Sequence, residues 1–302
     1  MDIRALLQFL QIAKDGSFTR AAANLYLAQP TLSKTVHNLE EELGVPLFQK
    51  NRQQAELTDY GIKLVELATP IVNDFQSIPT WLHDVEDHPK GDVHVGVTPM
   101  VAGLYLISQI DPFCTAHPNI NLRFSERGSN DIRAMVEASQ CDVGFCMESD
   151  AVYASGLLDV YSLFSKEIVA LIPYSDPLSQ QKQVRIADLR QEKFNFYTEG
   201  HAIKHAIFRR CQEAGFTPQI NFVSGNSSIL INLSEHGSGI TILPKPFLSV
   251  HKCSNLAVVP FDPIFPWKCC MITKKGRYQS AAVQQFTSYM IDYFRTDVDN
   301  DL

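Results

Sequence analysis

No apolar run in this 302-residue chain is long enough to cross a bilayer, which excludes a helical membrane protein. The N-terminus, MDIRALLQFLQIAKDG, carries charges inside its apolar stretch and has no small-residue cleavage site. It reads as a helix and not as a secretion signal, so the expected compartment is the cytoplasm, with no membrane partner. The seven cysteines, at positions 114, 141, 146, 211, 253, 269 and 270, form no CxxC pair. An odd, scattered set is the pattern of reduced cytosolic thiols. Excess positive charge is also missing: the net charge is −7, which gives no global support to nucleic-acid binding. There is no GxSxG elbow and no Gly-rich phosphate loop. His201 and His205 have i, i+4 spacing, but Ala202 stands where HExxH has its glutamate. The expectation is therefore no catalytic residue, no metal, no cofactor and no enzyme.

The chain does have ordinary globular composition, 45% hydrophobic and 20% charged, and enough length for two domains with real cores. The stretch that organises it is QPTLSKTVHNLEEELG, residues 29 to 44. Pro30 suits a first helical turn and Gly44 a helix end. Leu32, Val36, Leu39 and Leu43 fall on one face of that helix. The other face carries Thr31, Ser33, Lys34, Thr35, His37 and Asn38, side chains that can reach base edges and phosphates. Alone, this reads first as an ordinary amphipathic surface helix. The neighbours decide. Leu6, Phe9, Leu10 and Ala13 form a first amphipathic helix, Ser17 can cap a short second one over 18–25, and Tyr26 to Ala28 make a tight turn. Two short helices, a turn and a polar second helix make a helix-turn-helix. Residues 46–58 suit a small two-stranded wing that carries Lys50 and Arg52 to phosphate. Residues 1–58 hold six Lys/Arg and six Asp/Glu, so each subunit makes few phosphate contacts and binding needs more than one subunit.

Residues 1 to 61 resemble the winged helix-turn-helix of the LysR-type transcriptional regulators. The matching residues are Phe9, Ser17-Phe18, Ala21-Ala22, Leu25, Gln29-Pro30, Leu32-Ser33, Leu39-Glu40, Leu43-Gly44, Leu47-Phe48, Arg52, Leu57-Thr58 and Gly61. Lys34 and Lys50 stand where the family often has arginine, and lysine offers a point charge instead of a bidentate fork. The expected DNA contacts are Gln29, Pro30, Thr31, Ser33, Lys34, Thr35 and Asn38 on the helix, and Lys50 and Arg52 on the wing. Some relatives in this family sense peroxide with a cysteine pair. In GHAIKHAIFRRC, residues 200 to 211, Cys211 is present but Ala202 occupies the reactive position, which argues against that chemistry.

From Asp59 the pattern changes. Leu64, Ala68, Ile71, Phe75, Ile78 and Leu82 step by four and three, the seam of a helix pair. Residues 59–90 are expected to be a dimerising linker helix and hinge; the alternative is a helix packed on its own domain. Pro70 and Pro79 count against a straight helix, and a kink or break is expected near Pro79.

Residues 91–302 alternate short apolar runs with helical stretches, which means mostly parallel sheets with helices on their faces. The resemblance implies two Rossmann-like subdomains, like a periplasmic binding protein: about 91–163 with 268–302, and about 164–267. Ligands in such sheets sit beyond the carboxyl ends of strands, at helix N-termini. That rule selects Thr98-Pro99-Met100, Ser129, Thr198 with His201, and Ser224 with Asn226. For any one of them simple helix capping is the competing reading. Jointly they point to a small polar or anionic effector. The expected protein is an effector-controlled, sequence-specific DNA-binding regulator. It would act on double-stranded operator DNA as a homodimer, and by the resemblance as pairs of dimers. The competing reading is a solute-binding or enzymatic α/β protein with an accessory N-terminal domain.

Overall fold

Asp2 starts the first helix: its carboxylate accepts the Ala5 N–H at 2.8 Å, and α1 runs Ile3–Asp15. Ser17 caps α2, Phe18–Asn24, by accepting the Arg20 N–H. The third helix, α3, spans Gln29–Leu43, with Pro30 in its first turn and Gly44 at φ +70° closing it. Leu32, Val36 and Leu39 are buried against Phe9, Ile12, Ala21 and Leu47. Leu43, expected on the same face, is exposed. The wing begins with one bridge, Phe48 to Leu57, and a Gln49 N–H to Glu56 carbonyl bond of 2.8 Å. The computed structural model describes residues 1–49, 55–83, 89–251 and 253–296, so Lys50 and Arg52 lie outside the described residues. Helix α4, Asp59–His83, runs through Pro70 and Pro79 without the expected break. Each proline removes one N–H donor, and the turns on either side keep theirs. The Thr69 and Ser77 hydroxyls donate to the Val65 and Asn73 carbonyls within the same helix. These helices, with residues 138–140, form one compact unit, and the strands that follow belong to the second.

The second unit carries one eight-stranded sheet ordered β2-β1-β3-β8-β4-β7-β5-β6. The strands are β1 Gly91–Val97, β2 Ile120–Glu126, β3 Val143–Met147, β4 Leu158–Pro173, β5 Lys193–Tyr197, β6 Gln219–Ser224, β7 Ile240–Pro244 and β8 Leu256–Lys274. The intervening helices are α5 Pro99–Val101, which continues through a wide π turn at Ala102–Leu106 into α6 Ile107–Ala116, then α7 Ser129–Glu137, α8 Asp150–Ala154, α9 Ala202–Glu213, α10 Ser227–Glu235 and α11 Ala281–Thr296. Strands β1, β2 and β3 are mutually parallel, and so are β5, β6 and β7. Between the two trios, β4 and β8 are long and antiparallel, paired from Leu158–Lys274 to Pro173–Leu256. The sheet is thus mixed: each trio is parallel inside, and β4 and β8 join the trios through antiparallel pairings. Both expected subdomain boundaries, near 163/164 and 267/268, lie inside this ribbon, where Ser165 pairs with Lys268 and Lys166 with Trp267. Prolines 260, 263 and 266 disguise β8 as loop in the sequence.

Helices cover both faces of this sheet. Cys269 and Cys270, neighbours in β8, are therefore both fully buried, on opposite faces. Gly239 sits at φ +122°, and a Cβ there would lie 2.3 Å from the Lys193 carbonyl oxygen, so only glycine lets β7 start beside β5.

Candidate nucleic-acid interface and effector cleft

On α3, Gln29, Pro30, Thr31, Lys34 and Asn38 are exposed, and Ser33 and Thr35 are half-buried. Two of these side chains are held before any partner arrives: the Gln29 amide donates to Ser33 Oγ at 2.8 Å, and the Thr35 hydroxyl donates to the Thr31 carbonyl at 3.1 Å. Fixing a rotamer in advance lowers the entropy lost on binding. Glu40 has a role the sequence did not reveal. Its Oε1 accepts the N–H groups of Leu47 (2.7 Å) and Phe48 (3.2 Å), tying the root of the wing to the far end of α3.

The apolar residues of α4 divide into two sets. Ala68 and Val72 are buried against Leu6, with Leu64 packed beside them. Those three face their own unit, which removes Leu64 and Ala68 from a free seam. Ile71, Phe75, Ile78 and Leu82 remain exposed, and Leu67, one position before Ala68, joins them. The unpartnered stripe therefore begins at Leu67.

In the second unit, all four turns lie between a strand end and a helix start: β1 to α5, β2 to α7, β5 to α9 and β6 to α10. Thr98, Pro99, Met100, Ser129 and His201 line one cavity of about 50 Å³, together with Tyr197, Ser227, Met147 and Trp267. Thr98 is positioned as a cap yet makes no capping bond, leaving its hydroxyl to the cavity. Ser129 is 7% exposed, and its Oγ accepts the Met147 N–H at 3.1 Å. His201 is half-buried beside the Tyr197 ring at 5.5 Å; burial holds its imidazole below the usual histidine range, partly opposed by Asp131. The Tyr197 hydroxyl lies 3.4 Å from Ser227 Oγ. Three expected residues do not line this cavity. Asn226 caps α10 by accepting the Ser228 N–H, and Ser224, at the end of β6, accepts the Asn226 N–H in the turn before it. Thr198 packs over Gly225.

A cavity of this size holds only a few water molecules. The loops around it are closed down: a Cβ on Gly128 would lie 2.3 Å from the carbonyl oxygen of Gly200, so the two backbones touch. Met147 and Ala202 also line a larger open groove of about 1040 Å³, across which Arg209 pairs with Asp150 at 2.9 Å. No local pattern in the sequence announces that groove.

Sequence comparison decides the family. Residues 3–62 match the bacterial regulatory helix-turn-helix of the lysR family, and residues 86–295 match the LysR substrate binding domain. The chain belongs to the LysR family of transcriptional regulators. It is 32% identical over 297 residues to the HTH-type transcriptional regulator YwbI of Bacillus subtilis (strain 168), covering 97% of each chain. It is 29% identical over 249 residues to the hydrogen peroxide-inducible genes activator of Dickeya chrysanthemi, covering 81% of this chain and 79% of that one. Among solved structures, the effector binding domain of QuiR in complex with shikimate superimposes with a TM-score of 0.61 at 17% identity, covering 69% of this chain and 99% of that one. As a LysR-type protein it is a DNA-binding transcriptional regulator with an effector-binding domain, and not an enzyme.

The thiols of this LysR-type chain at positions 146, 211 and 270 are all buried. Cys211 is fully buried, and burial pushes its thiol up to about 11. Cys146 and Cys270 face each other across β3 and β8 with sulfurs 3.9 Å apart. Both are buried, and Cys270 is held well above the usual thiol range by its bond to Cys146 and by burial. His205 is exposed while His201 turns into the cleft, so their i, i+4 spacing does not set them side by side in one environment.

Proposed function

We propose that this regulator reads operator DNA through Gln29, Pro30, Thr31, Ser33, Lys34, Thr35 and Asn38, with Lys50 and Arg52 on phosphate. Its effector is a small polar or anionic molecule bound at the Thr98–Ser129–His201 cleft. The observation that carries the effector reading is the convergence of four helix N-termini, those of α5, α7, α9 and α10, on one cavity. Unpaired N–H groups and the helix dipole at those ends favour negative charge. Shikimate, the molecule in the QuiR complex, is consistent with that class. The closed, few-water cavity must open for a metabolite to enter, and binding alters DNA affinity only by preferring one arrangement of the loops.

The exposed stripe from Leu67 to Leu82 supports a homodimer, with recognition helices set for half-sites about 34–36 Å apart. Pairing of two dimers would supply the additional phosphate contacts that a charge-neutral domain lacks. Among the described residues no helix is long and apolar enough to cross a membrane, and a regulator of this kind works in the cytoplasm, where the DNA is. Peroxide sensing is not carried over, because Ala202 offers no thiol and Cys211 is buried and protonated.

The test joins a reporter, driven by the DNA flanking the gene for this protein, to a gel shift on the same DNA. Thr98→Val should abolish the reporter response across growth conditions while leaving the gel shift intact. A Thr98→Val protein that responds as the parent does would remove the cleft from effector binding.

A further inference from the structure

The turn of the helix-turn-helix holds a residue that folding alone would not choose. Tyr26, between α2 and α3, has φ +55°, the left-handed region that L side chains with a Cβ rarely adopt. Glycine or asparagine takes this conformation at lower cost. The tyrosine side chain returns nothing to the fold: the residue is 96% exposed. The backbone around it is firmly set. Leu25 N–H donates to the Ala21 carbonyl at 2.9 Å, Tyr26 N–H to Ala23 at 3.2 Å, and Leu27 N–H to Ala22 at 2.9 Å. The phenol is thus held out on a rigid turn three residues before Gln29, the start of the helix read here as the recognition helix. With that helix in the major groove, the first helix of the motif crosses the sugar-phosphate backbone, and the turn between them lies at the groove edge.

We infer that Tyr26 is a DNA-backbone contact, its hydroxyl donating a hydrogen bond to a phosphate oxygen beside the recognition helix. The inference rests on reading α3 as the recognition helix. A neutral O–H displaces no counterion and reads no base, so its signature differs from that of a lysine or of a base contact. It adds affinity equally to all sequences and leaves the salt dependence unchanged. It also opposes folding, because it keeps a Cβ at a positive φ.

The experiment uses the full chain and two duplexes, the DNA flanking its own gene and one of arbitrary sequence, titrated over a range of salt. Tyr26→Phe should weaken both complexes about tenfold with an unchanged slope against salt. Tyr26→Gly should weaken both by at least as much while raising the melting temperature by about 2–5 °C. Lys34→Ala is measured in parallel. If Tyr26→Phe binds both duplexes as the parent does while Lys34→Ala weakens the flanking duplex, the Tyr26 contact is wrong and the recognition helix stands. If Tyr26→Phe weakens only the flanking duplex, the phosphate assignment is overturned in favour of a base contact. If neither variant changes binding, the recognition-helix reading itself has failed.

Discussion

The two units of this chain prepare for their partners in opposite ways. On α3 the proposed contact residues lie within one short helix, and most stand exposed on a convex surface. In the second unit, the residues around the cleft come from positions 98 to 267 and close on about 50 Å³. DNA is large and rigid, so a protein reads it by projecting side chains into a groove. A small molecule has to be surrounded, so its site is concave and assembled from distant segments. The first arrangement needs only local structure. The second depends on strand pairings such as β3 with β8, which bring residue 147 beside residue 269.

The strongest way to break this contrast is to separate the subunits. Ile71→Asp with Phe75→Asp would bury charge in the proposed seam. The expected result is a folded monomer by sedimentation, with operator affinity lower by about 100-fold or more as bivalent binding is lost. An intact dimer from the double variant would take α4 out of the interface. Ala68→Asp should behave differently, unfolding the N-terminal unit, because Ala68 is buried against Leu6 and Val72.

Next in size are the recognition residues. Thr31→Ala and Lys34→Ala should each cost about 1–3 kcal/mol at the operator and relax base preference at one position. Selection from randomised operators reads this directly, and an unaltered consensus from both variants would clear them of base reading.

The closed cleft can be wedged in turn. Gly128→Ala puts a methyl group against the Gly200 carbonyl oxygen. The expected loss is about 1–3 kcal/mol in denaturant unfolding, with faster amide exchange in the loops at 128 and 200. Unchanged stability and exchange would mean that the contact yields without cost.

The smallest expected effect is electrostatic and lies away from both sites. Glu192 has its carboxyl pushed up to about 7 by burial and by Asp176 beside it. A carboxyl raised in the folded state stabilises the fold below its unfolded value near 4.5, and that contribution is lost as pH rises through about 7. Glu192→Gln should therefore raise stability at pH 8 by about 1 kcal/mol, after discounting for its partial exposure, and by almost nothing at about pH 4, below the unfolded value. Melting curves at the two pH values check it; an equal gain at both would deny the carboxyl pair.

Much of this architecture was legible in the residues because its causes are local. Ser17 capping α2, Gly44 ending α3 and Leu32, Val36 and Leu39 turning inward all follow from side chains within a few residues of one another. Cap chemistry and helical periodicity act over one or two turns, so a single sequence carries them. The four strand-to-helix turns were legible for the same reason. Their division into cavity residues (Thr98, Ser129, His201) and residues spent on the turn itself (Ser224, Asn226) was not, since a hydroxyl or amide near a helix start is the same in sequence whether it meets only a backbone N–H or also a cavity. The sequence by itself determined the helix-turn-helix, the long apolar helix after it and the alternation of strands and helices. Only the tertiary structure decided that Ala68 faces inward and Leu67 outward, that Glu40 ties down the wing, that β4 and β8 run long and antiparallel, and that Gly128 meets Gly200. Each of those depends on which distant segment arrives at a given face, and that is fixed by burial and pairing across the whole fold, which no local pattern encodes.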